Sequence, residues 1–467
     1  MPPTTLGIIL GNRGFFPDHL LHDARRQLLD LFGQFGLRAV ILGEDQGKKG
    51  GVETYAHAQQ CADLFRAGDL DGVLVSLPNF GDERAVTDTL KLARLDVPVL
   101  VQASPDDPAR MDVANRRDAF CGKLSVCNNL RQANIPFSLT TRHVVALTDP
   151  SFAADLERFA AVCRVVSGVR GARLGAVGAR PDGFNTVRFS EKILEDHDIS
   201  VSTVDLSEIL GAAERLADDD PRVAAAAQAL TSYADAQGVP RASLLLMAKL
   251  DVALNEWTAS KELDAIAVQC WTSMQENYGI QPCAVMSMMS ARLVPSACEV
   301  DVTGALAMYA LQLASQSPSA LMDWNNNYGA DDDKCVLFHC GNWPASFLAD
   351  AKIRPGAILG ATLGEERTWG ALEGAALPCD VTFARASTDD AVGILRAYVG
   401  EGTITDDPLT SFGSTAVLHV PGLQRLLRYL CAEGFEHHVA INRSTTAEVL
   451  EEALGHYLGW EVHRHAG

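Results

Sequence analysis

Residues 72–103 read GVLVSLPNFGDERAVTDTLKLARLDVPVLVQA, two short apolar runs on either side of a charged segment. The runs GVLVSL and VPVLVQA are rich in valine and leucine, as buried strands are, and the segment between them, 83–95, has the spacing of a helix. Short strands that alternate with helices of this length form βαβ units, whose strands lie parallel in one sheet. This stretch therefore predicts a parallel α/β fold.

The same alternation extends towards the N-terminus. LGIIL and AVIL predict two more strands, and helical patterns follow them at 19–35 and 54–67. Sheets of this kind bind ligands at the loops that follow the carboxyl ends of their strands. Three such loops are GNRGFF at 11–16, LPNFGDE at 77–83 and QASPDDP at 102–108.

The remaining chain divides into two further blocks. After a helix at 152–167, RLGAVGARPDGFNT restarts the strand-then-loop pattern, and DAIAVQCW predicts a strand that ends at Trp271. From about residue 335 short apolar runs separated by glycines predict a mostly antiparallel β unit: CVLFHCGN, GAILGATLG, DVTFARAS, GILRAYVG and TAVLHVPG. We therefore predict two Rossmann-like α/β domains with parallel sheets, residues 1–167 and 168–315, followed by a β-rich C-terminal domain, residues 316–467.

The composition is that of a globular protein with several domains, because 47% of its 467 residues are hydrophobic and 21% are charged. The net charge of −20, with no basic run to offset it, argues against a nucleic-acid partner. The eleven cysteines show no C-x-x-C spacing. The N-terminus has no apolar leader, and no apolar stretch reaches the length of a membrane span, about 18 residues. We expect a cytoplasmic protein with reduced thiols and no membrane contact.

Two carboxylates open an otherwise apolar stretch, PSACEVDVTGALAMYALQLA at 295–314. The run after Thr303 has no polar face and predicts a helix that is buried all round. Ser296 and Glu299 have the S-x-x-E spacing of a capping box, which is the simplest explanation of the glutamate. Glu299 and Asp301 would lie about 200° apart on a helix, so they cannot form one catalytic pair. A second carboxylate must come from elsewhere in the chain.

Asp323, His339 and the adjacent histidines His437 and His438 are the other candidates for a reactive site. Asp323 opens the segment DWNNNYGADDDK, but a tyrosine and a lysine occupy the positions that a calcium loop needs as glycine and glutamate. Only one of the two adjacent histidines can face a given site, because neighbouring side chains of a strand point to opposite faces. Two carboxylates with one or two imidazoles suit Mn²⁺, Fe²⁺, Co²⁺ or Mg²⁺.

Seven motifs run in order along essentially the whole chain: GNRGFFPD, LPNFGDE, DAFCGKLSVCNNL, GARPDGFNTVRFSEKIL, QCW, PSACEVDVTGAL and GFEHHVAIN. In these motifs the chain resembles the L-fucose isomerase and L-arabinose isomerase family of metal-dependent aldose–ketose isomerases. The resemblance implies that Glu299, Asp323 and His438 bind one divalent metal, expected to be Mn²⁺, and that Glu299 and Asp323 also act as catalytic acid and base. His339 resembles a further metal ligand that is found in the L-arabinose isomerases of this family. It is therefore either a fourth ligand of the metal or a residue that contacts the metal ligands.

The resemblance also implies a substrate site that is shared between subunits. Arg13, in the loop 11–16, would contact the sugar bound to a neighbouring subunit of a homotrimer or homohexamer. The residues themselves suggest two further substrate contacts besides His339. Trp271 would offer its apolar face to the sugar, and Asn342 would bond a hydroxyl group.

Three functions are compatible with these residues. The first is a metal-dependent intramolecular oxidoreductase that interconverts an aldose and a ketose through an enediol, with a monosaccharide such as fucose or arabinose as its substrate. The second is a diverged isomerase that acts on a modified sugar, for instance a sulfonated one. The third is a non-catalytic sugar-binding or regulatory protein that uses the two α/β domains as a clamp, although a clamp does not need two carboxylates and a histidine in its last domain.

Overall fold

A computed structural model describes residues 3–467, and the chain forms two compact units, Met1–Ser167 and Gly168–Gly467. The first unit contains one parallel sheet, and the second contains a smaller parallel sheet and a mostly antiparallel one. The predicted fold class, two parallel α/β sheets and a β-rich C-terminal part, is thereby confirmed. The division of the second unit at residue 316 stays a prediction.

The first unit alternates strands and helices from end to end. Its strands are β1 (Thr5–Leu10), β2 (Arg38–Ile41), β3 (Gly72–Leu77), β4 (Val99–Ala103) and β5 (Ser138–Leu139). Its helices are α1 (Leu20–Gln34), α2 (Tyr55–Arg66), α3 (Glu83–Ala93), α4 (Ala119–Gln132) and α5 (Pro150–Val169), the last of which ends just beyond the unit. The strands pair in parallel in the order β2-β1-β3-β4-β5.

Helices cover both faces of this sheet. Strand residues such as Ile9 and Val73 pack against α2, α3 and α4, whereas Leu6 and Leu74 pack against α1 and α5. Burial on both faces explains why β1 and β3 are continuous apolar runs rather than alternating ones.

The second unit begins with a four-stranded parallel sheet. Its strands are β6 (Arg173–Val177), β7 (Ser200–Val204), β8 (Ala265–Val268) and β9 (Ser296–Cys298), paired in the order β7-β6-β8-β9. Its helices are α6 (Glu191–Glu195), α7 (Leu206–Glu214), α8 (Pro221–Tyr233), α9 (Arg241–Ser260), α10 (Ser273–Asn277), α11 (Cys283–Ala291) and α12 (Val302–Ser315).

The rest of the second unit is built on a nine-stranded sheet. Its strands are β10 (Ser319–Tyr328), β11 (Asp331–His339), β12 (Lys352–Pro355), β13 (Trp369–Ala375), β14 (Cys379–Asp389), β15 (Ile394–Ile404), β16 (Ser414–His419), β17 (His438–Asn442) and β18 (Glu461–Arg464). Its helices are α13 (Ala357–Leu363), α14 (Leu423–Glu433) and α15 (Ala447–Leu450), which a π-helical segment, Glu451–Tyr457, extends. Strand β16 pairs with both β11 and β15, so six strands, β16-β11-β10-β17-β14-β15, close into a barrel.

Helix α12 lies between the parallel sheet and the barrel. It contacts β6, β8 and β9 on one side and β10, β14 and β17 on the other. Thirteen of its fourteen residues are buried, which explains why its sequence has no polar face. The prediction of a helix buried all round is confirmed.

Two local predictions were wrong. GAILGATLG, predicted as a strand, forms α13, because an isolated apolar run of this length does not distinguish strand from helix and alanine and leucine favour the helix. DAIAVQCW was predicted to remain a strand up to Trp271, but β8 ends at Val268.

Candidate active site

Glu299 lies in a tight turn between β9 and α12, at the carboxyl end of the parallel sheet. Glu299 and Val300 both have φ of 57°, a left-handed conformation that costs side chains other than glycine about 1–3 kcal/mol each. These two residues lie in the short connection between the end of β9 and the start of α12. The turn directs the Glu299 side chain into a cavity of the second unit.

The capping-box interpretation of Glu299 is wrong. Residues 296–298 form a strand that pairs with β8, so Ser296 lies six residues before the helix rather than at its N-cap. The N-cap is Asp301, whose Oδ1 accepts a hydrogen bond of 2.9 Å from the Gly304 amide. Glu299 is therefore free of any capping role and lies before the helix, not on it.

Asp323 and His438 come from two neighbouring strands of the barrel. They are directly opposite each other in the antiparallel pair β10–β17, so their side chains share one face. His438 Nε2 lies 3.5 Å from Asp323 Oδ1 and 3.4 Å from Glu299 Oε2. His437 is 40% exposed, and its Nε2 lies 3.6 Å from Asp323 Oδ1. Glu299 and Asp323 thus each lie close to His438 Nε2, but the three side chains do not form a group whose ligand atoms all lie within 4.8 Å of one another.

The carboxylate oxygens nearest His438 Nε2 accept no hydrogen bond from the described residues. These oxygens, Glu299 Oε2 and Asp323 Oδ1, are buried. The Nδ1 atom of His438 lies 2.8 Å from a carboxylate oxygen of Asp301, so Nδ1 carries a hydrogen, and the tautomer without a second hydrogen presents the lone pair of Nε2 to the two oxygens. Buried acceptors that face one another are costly unless a cation lies between them. This donor set, two carboxylate oxygens and one imidazole nitrogen, fits a divalent metal.

Trp271 and His339 hold Glu299 from two sides. The indole Nε1 of Trp271 donates a 3.0 Å hydrogen bond to Glu299 Oε1, and His339 Nε2 lies 3.7 Å from Glu299 Oε2. Burial raises the pKa of Glu299, but the imidazoles of His339 and His438 outweigh burial and hold this pKa below its usual value. Glu299 is therefore a carboxylate at neutral pH.

His339 differs from His438 in its tautomer. Its Nδ1 accepts a 2.9 Å hydrogen bond from the Cys340 amide, so the tautomer that fits this bond carries its hydrogen on Nε2. That hydrogen, rather than a lone pair, faces Glu299. Glu299, His339 and His438 still form a group whose ligand atoms lie within 4.8 Å of one another, the spacing of residues that could hold a metal.

A cavity of about 260 Å³, large enough for a monosaccharide, is lined by Glu299, Asp323, His438, His339 and Trp271. Phe184, Phe338, Ile358 and Leu359 supply its apolar wall. Among the described residues, no lysine or arginine lines this cavity. Asn342 is fully buried and is not one of the lining residues.

Sequence reasoning missed the charged network behind His438. Arg385 in β14 is fully buried and forms a two-fold ion pair with Asp301, in which Nη2 donates to Asp301 Oδ1 at 2.9 Å. Its Nε donates to Glu436 Oε2 at 3.2 Å. Burial raises the pKa of Asp301, but Arg385 and His438 outweigh it and hold this pKa well below its usual value. The available signals were the single charge in the apolar run VTFARAS and the acid next to the histidine pair in GFEHH.

Arg13 lies in the first unit, at the carboxyl edge of its parallel sheet. The Nε atom donates a 2.9 Å hydrogen bond to the Gly81 carbonyl, the guanidinium pairs with Glu83, and the charge lies 4.3 Å from the centre of the Phe80 ring. The loops at 11–16 and 77–83 therefore meet, as expected at the ends of adjacent parallel strands.

Two family models match the chain. Residues 7–170 match the model described as "Fucose/sulfoquinovose isomerase, N-terminal domain", and residues 337–465 match the model described as "L-fucose isomerase, C-terminal domain". The chain belongs to the L-fucose isomerase family. The predicted resemblance is thereby confirmed. Glu299 and Asp323 fall between the two matched segments, whereas His339 and His438 fall within the second.

Curated relatives of this isomerase cover most of its length. A sulfoquinovose isomerase of Alkalicoccus urumqiensis is 27% identical over 374 residues, which cover 77% of this chain and 79% of that relative. A sulfoquinovose isomerase of Priestia aryabhattai is 23% identical over 420 residues, 88% of this chain and 89% of the relative. The chain is therefore an aldose–ketose isomerase, and the alternative of a non-catalytic sugar clamp is wrong. No helix among the described residues is long and apolar enough to cross a membrane.

Proposed function

We propose that this protein is a metal-dependent isomerase of a sulfonated aldose, with sulfoquinovose as its substrate. The observation that supports the metal is that His438 Nε2 lies 3.4 Å and 3.5 Å from two buried carboxylate oxygens, Glu299 Oε2 and Asp323 Oδ1, which accept no hydrogen bond among the described residues. The proposed substrate is supported by the relatives, which are sulfoquinovose isomerases. The eleven free thiols fit a reducing compartment, the cytoplasm.

In this proposal Glu299, Asp323 and His438 hold the ion, which we expect to be Mn²⁺. When bound, the ion supplies positive charge that stabilises an enediolate. Glu299 and Asp323 transfer the proton between C1 and C2 of the sugar. Trp271 donates a hydrogen bond to one oxygen of Glu299, and the imidazole of His339 holds the Glu299 carboxylate in its charged form.

The substrate is tested by comparing sulfoquinovose with quinovose, which lacks only the sulfonate, and with L-fucose and L-arabinose. We expect kcat/KM for sulfoquinovose to exceed that for quinovose by at least about 10-fold, since a hydrogen bond to a charged group contributes about 1.5–3 kcal/mol. Ketose formation is measured directly. Equal kcat/KM for the sulfonated and the plain sugar would reject the sulfonated substrate while leaving the isomerase chemistry in place.

Metal dependence gives a second prediction. Exhaustive chelation abolishes turnover, and Mn²⁺ restores it, because carboxylate oxygens and one imidazole are ligands that this ion accepts. The metal content of the stripped protein is measured alongside the rate, and circular dichroism checks that the fold survives chelation. Full turnover by protein shown to be metal-free would contradict the proposed mechanism.

The sulfonate needs a cation that the described lining of the cavity lacks, which supports the shared site. We propose that Arg13 of another subunit of a homotrimer or homohexamer meets the anionic end of the sugar. Arg13→Ala and Glu299→Gln chains are each expected to be nearly inactive, and a mixture that has exchanged subunits regains part of the activity. Glu299→Gln mixed with Asp323→Asn is the matched control, since both residues lie in the same unit and cannot complement each other. Equal activity of the two mixtures would count against a shared site.

A further inference from the structure

Four cysteines that isomerisation does not use lie beside the sugar cavity. Cys270 follows β8, Cys283 begins α11 and Cys298 ends β9, and all three are buried. Cys340 follows β11, is half-buried and lines the cavity itself. Four separate segments of the second unit thus bring thiols to one place.

Three of these thiols are close enough to share one ion. The sulfur atoms of Cys283, Cys298 and Cys340 all lie within 4.8 Å of one another, and those of Cys283 and Cys340 are 3.7 Å apart. Two thiolates bound tetrahedrally to one Zn²⁺ at about 2.3 Å lie about 3.8 Å apart. The same 3.7 Å separation is much longer than a disulfide bond, and all three cysteines are free. The separation of the Cys283 and Cys340 sulfur atoms therefore already matches that of two thiolates bound to one Zn²⁺.

We propose that Cys283, Cys298 and Cys340 form a second metal site, which binds Zn²⁺ through three thiolates. Thiolate ligands select Zn²⁺ over the harder Mn²⁺, so this thiol site and the carboxylate–histidine site prefer different ions. Each thiol releases its proton on binding, and no redox step is involved. Cys340 lines the cavity, so the thiol site can be reached by an ion that enters through the cavity.

Zn²⁺ at this site is expected to inhibit the isomerase. The sulfur atoms of Cys270 and Cys298 lie within 4.8 Å of a carboxylate oxygen of Glu299, so this carboxylate, which we propose as the proton carrier, is close enough to become the fourth ligand of an ion held by the three thiolates. This inhibition rests on the proposed function, whereas binding at the thiol site does not.

Co²⁺ separates the two sites by spectroscopy. Chelated and reduced full-length protein is titrated with Co²⁺, and the near-ultraviolet sulfur-to-cobalt charge-transfer band is followed. Co²⁺ at the carboxylate–histidine site has no sulfur ligand and gives no such band. We expect the band to saturate at one equivalent of Co²⁺ in the thiol site and to disappear when Zn²⁺ displaces the cobalt.

Cys283→Ser is expected to lose the charge-transfer band while keeping isomerase activity with Mn²⁺, because Cys283 touches neither the cavity nor Glu299. Cys335→Ser is the matched control, since Cys335 is also buried and lies in β11 next to the segment that carries Cys340, but outside the cluster. The control keeps the band. A wild-type protein that is folded and active but shows no band overturns the proposal and leaves three thiols that merely pack together. A band that persists in a folded Cys283→Ser, Cys298→Ser double variant overturns it as well.

Discussion

Glu299→Gln lowers the isomerase turnover by at least about 10²-fold, the lower end for the loss of a positioned acid or base. Glutamine keeps the size of the side chain and the acceptor for the Trp271 indole, but it removes the charge that faces His438. Asp323→Asn is expected to have an effect of the same order. Steady-state kcat with saturating Mn²⁺ is the measurement.

The control for Glu299→Gln is Glu208→Gln, an exposed glutamate of α7 in the same unit. The metal content of each variant is measured separately, since Glu299 is also a proposed ligand.

Isomerisation in D₂O then tests the enediol, because a proton held by a carboxyl group exchanges with solvent. Deuterium is expected at C1 of the ketose or at C2 of recovered aldose. If the product contains no deuterium and the Glu299→Gln variant also remains active, both the enediol mechanism and the assignment of Glu299 are rejected.

Arg385→Leu destabilises the protein by about 3–5 kcal/mol, the cost of removing one partner of a buried ion pair. Arg385 is fully buried between Asp301 and Glu436, so the leucine leaves two carboxylates without a counter-charge. Urea unfolding at pH 8 measures the loss of stability. Arg222→Leu is the matched control, because its partners Asp220 and Glu256 lie at the surface, where such pairs contribute about 0–1 kcal/mol.

The pH dependence of the Arg385→Leu variant has a definite sign. In the wild type the pKa of Asp301 is lowered, so the pair stabilises the fold above the pKa of an unfolded carboxyl group and this contribution is lost only in strong acid. Without the arginine, burial is opposed by His438 but no longer by a guanidinium, so the pKa of Asp301 in the folded state is higher than in the wild type. The folded variant then binds more protons than the folded wild type, so its stability deficit shrinks as the pH falls from 8 into the acid range. A deficit that stays constant over this range would contradict the buried-charge explanation.

The buried network of Arg385, Asp301 and His438 gives Asp301 a role that differs from that of Glu299. Asp301 does not reach the cavity, but it holds the ring of His438 by Nδ1 and is itself held by Arg385. It is therefore a positioning residue, and Glu299, only two residues before it, faces the proposed ion. The left-handed turn at Glu299 and Val300 is what sends the two carboxylates in different directions.

Much of the fold could be predicted because it depends on residues that are close in sequence. The parallel sheets follow from short β-branched runs that alternate with amphipathic helices, and the buried α12 follows from a run without a polar face. The residue types of the proposed site, Glu299, Asp323 and His438, stood out because charged or imidazole groups interrupt apolar segments. Their catalytic and metal-binding roles stay predictions.

The sequence by itself determined the fold class, the family and the set of side chains from which a metal site can be built. Tertiary structure alone decided which atoms of that set face one another, because the contacts join residues as far apart as His438 and Asp301, which are 137 positions apart, or Arg385 and Asp301, which are 84 apart. Periodicity reports only which face of its own element a residue lies on. Whether two such faces meet is decided by the packing of the whole unit. In it, α12 lies between a sheet and a closed barrel, Arg385 lies behind His438, and the three thiols of the proposed zinc site come together.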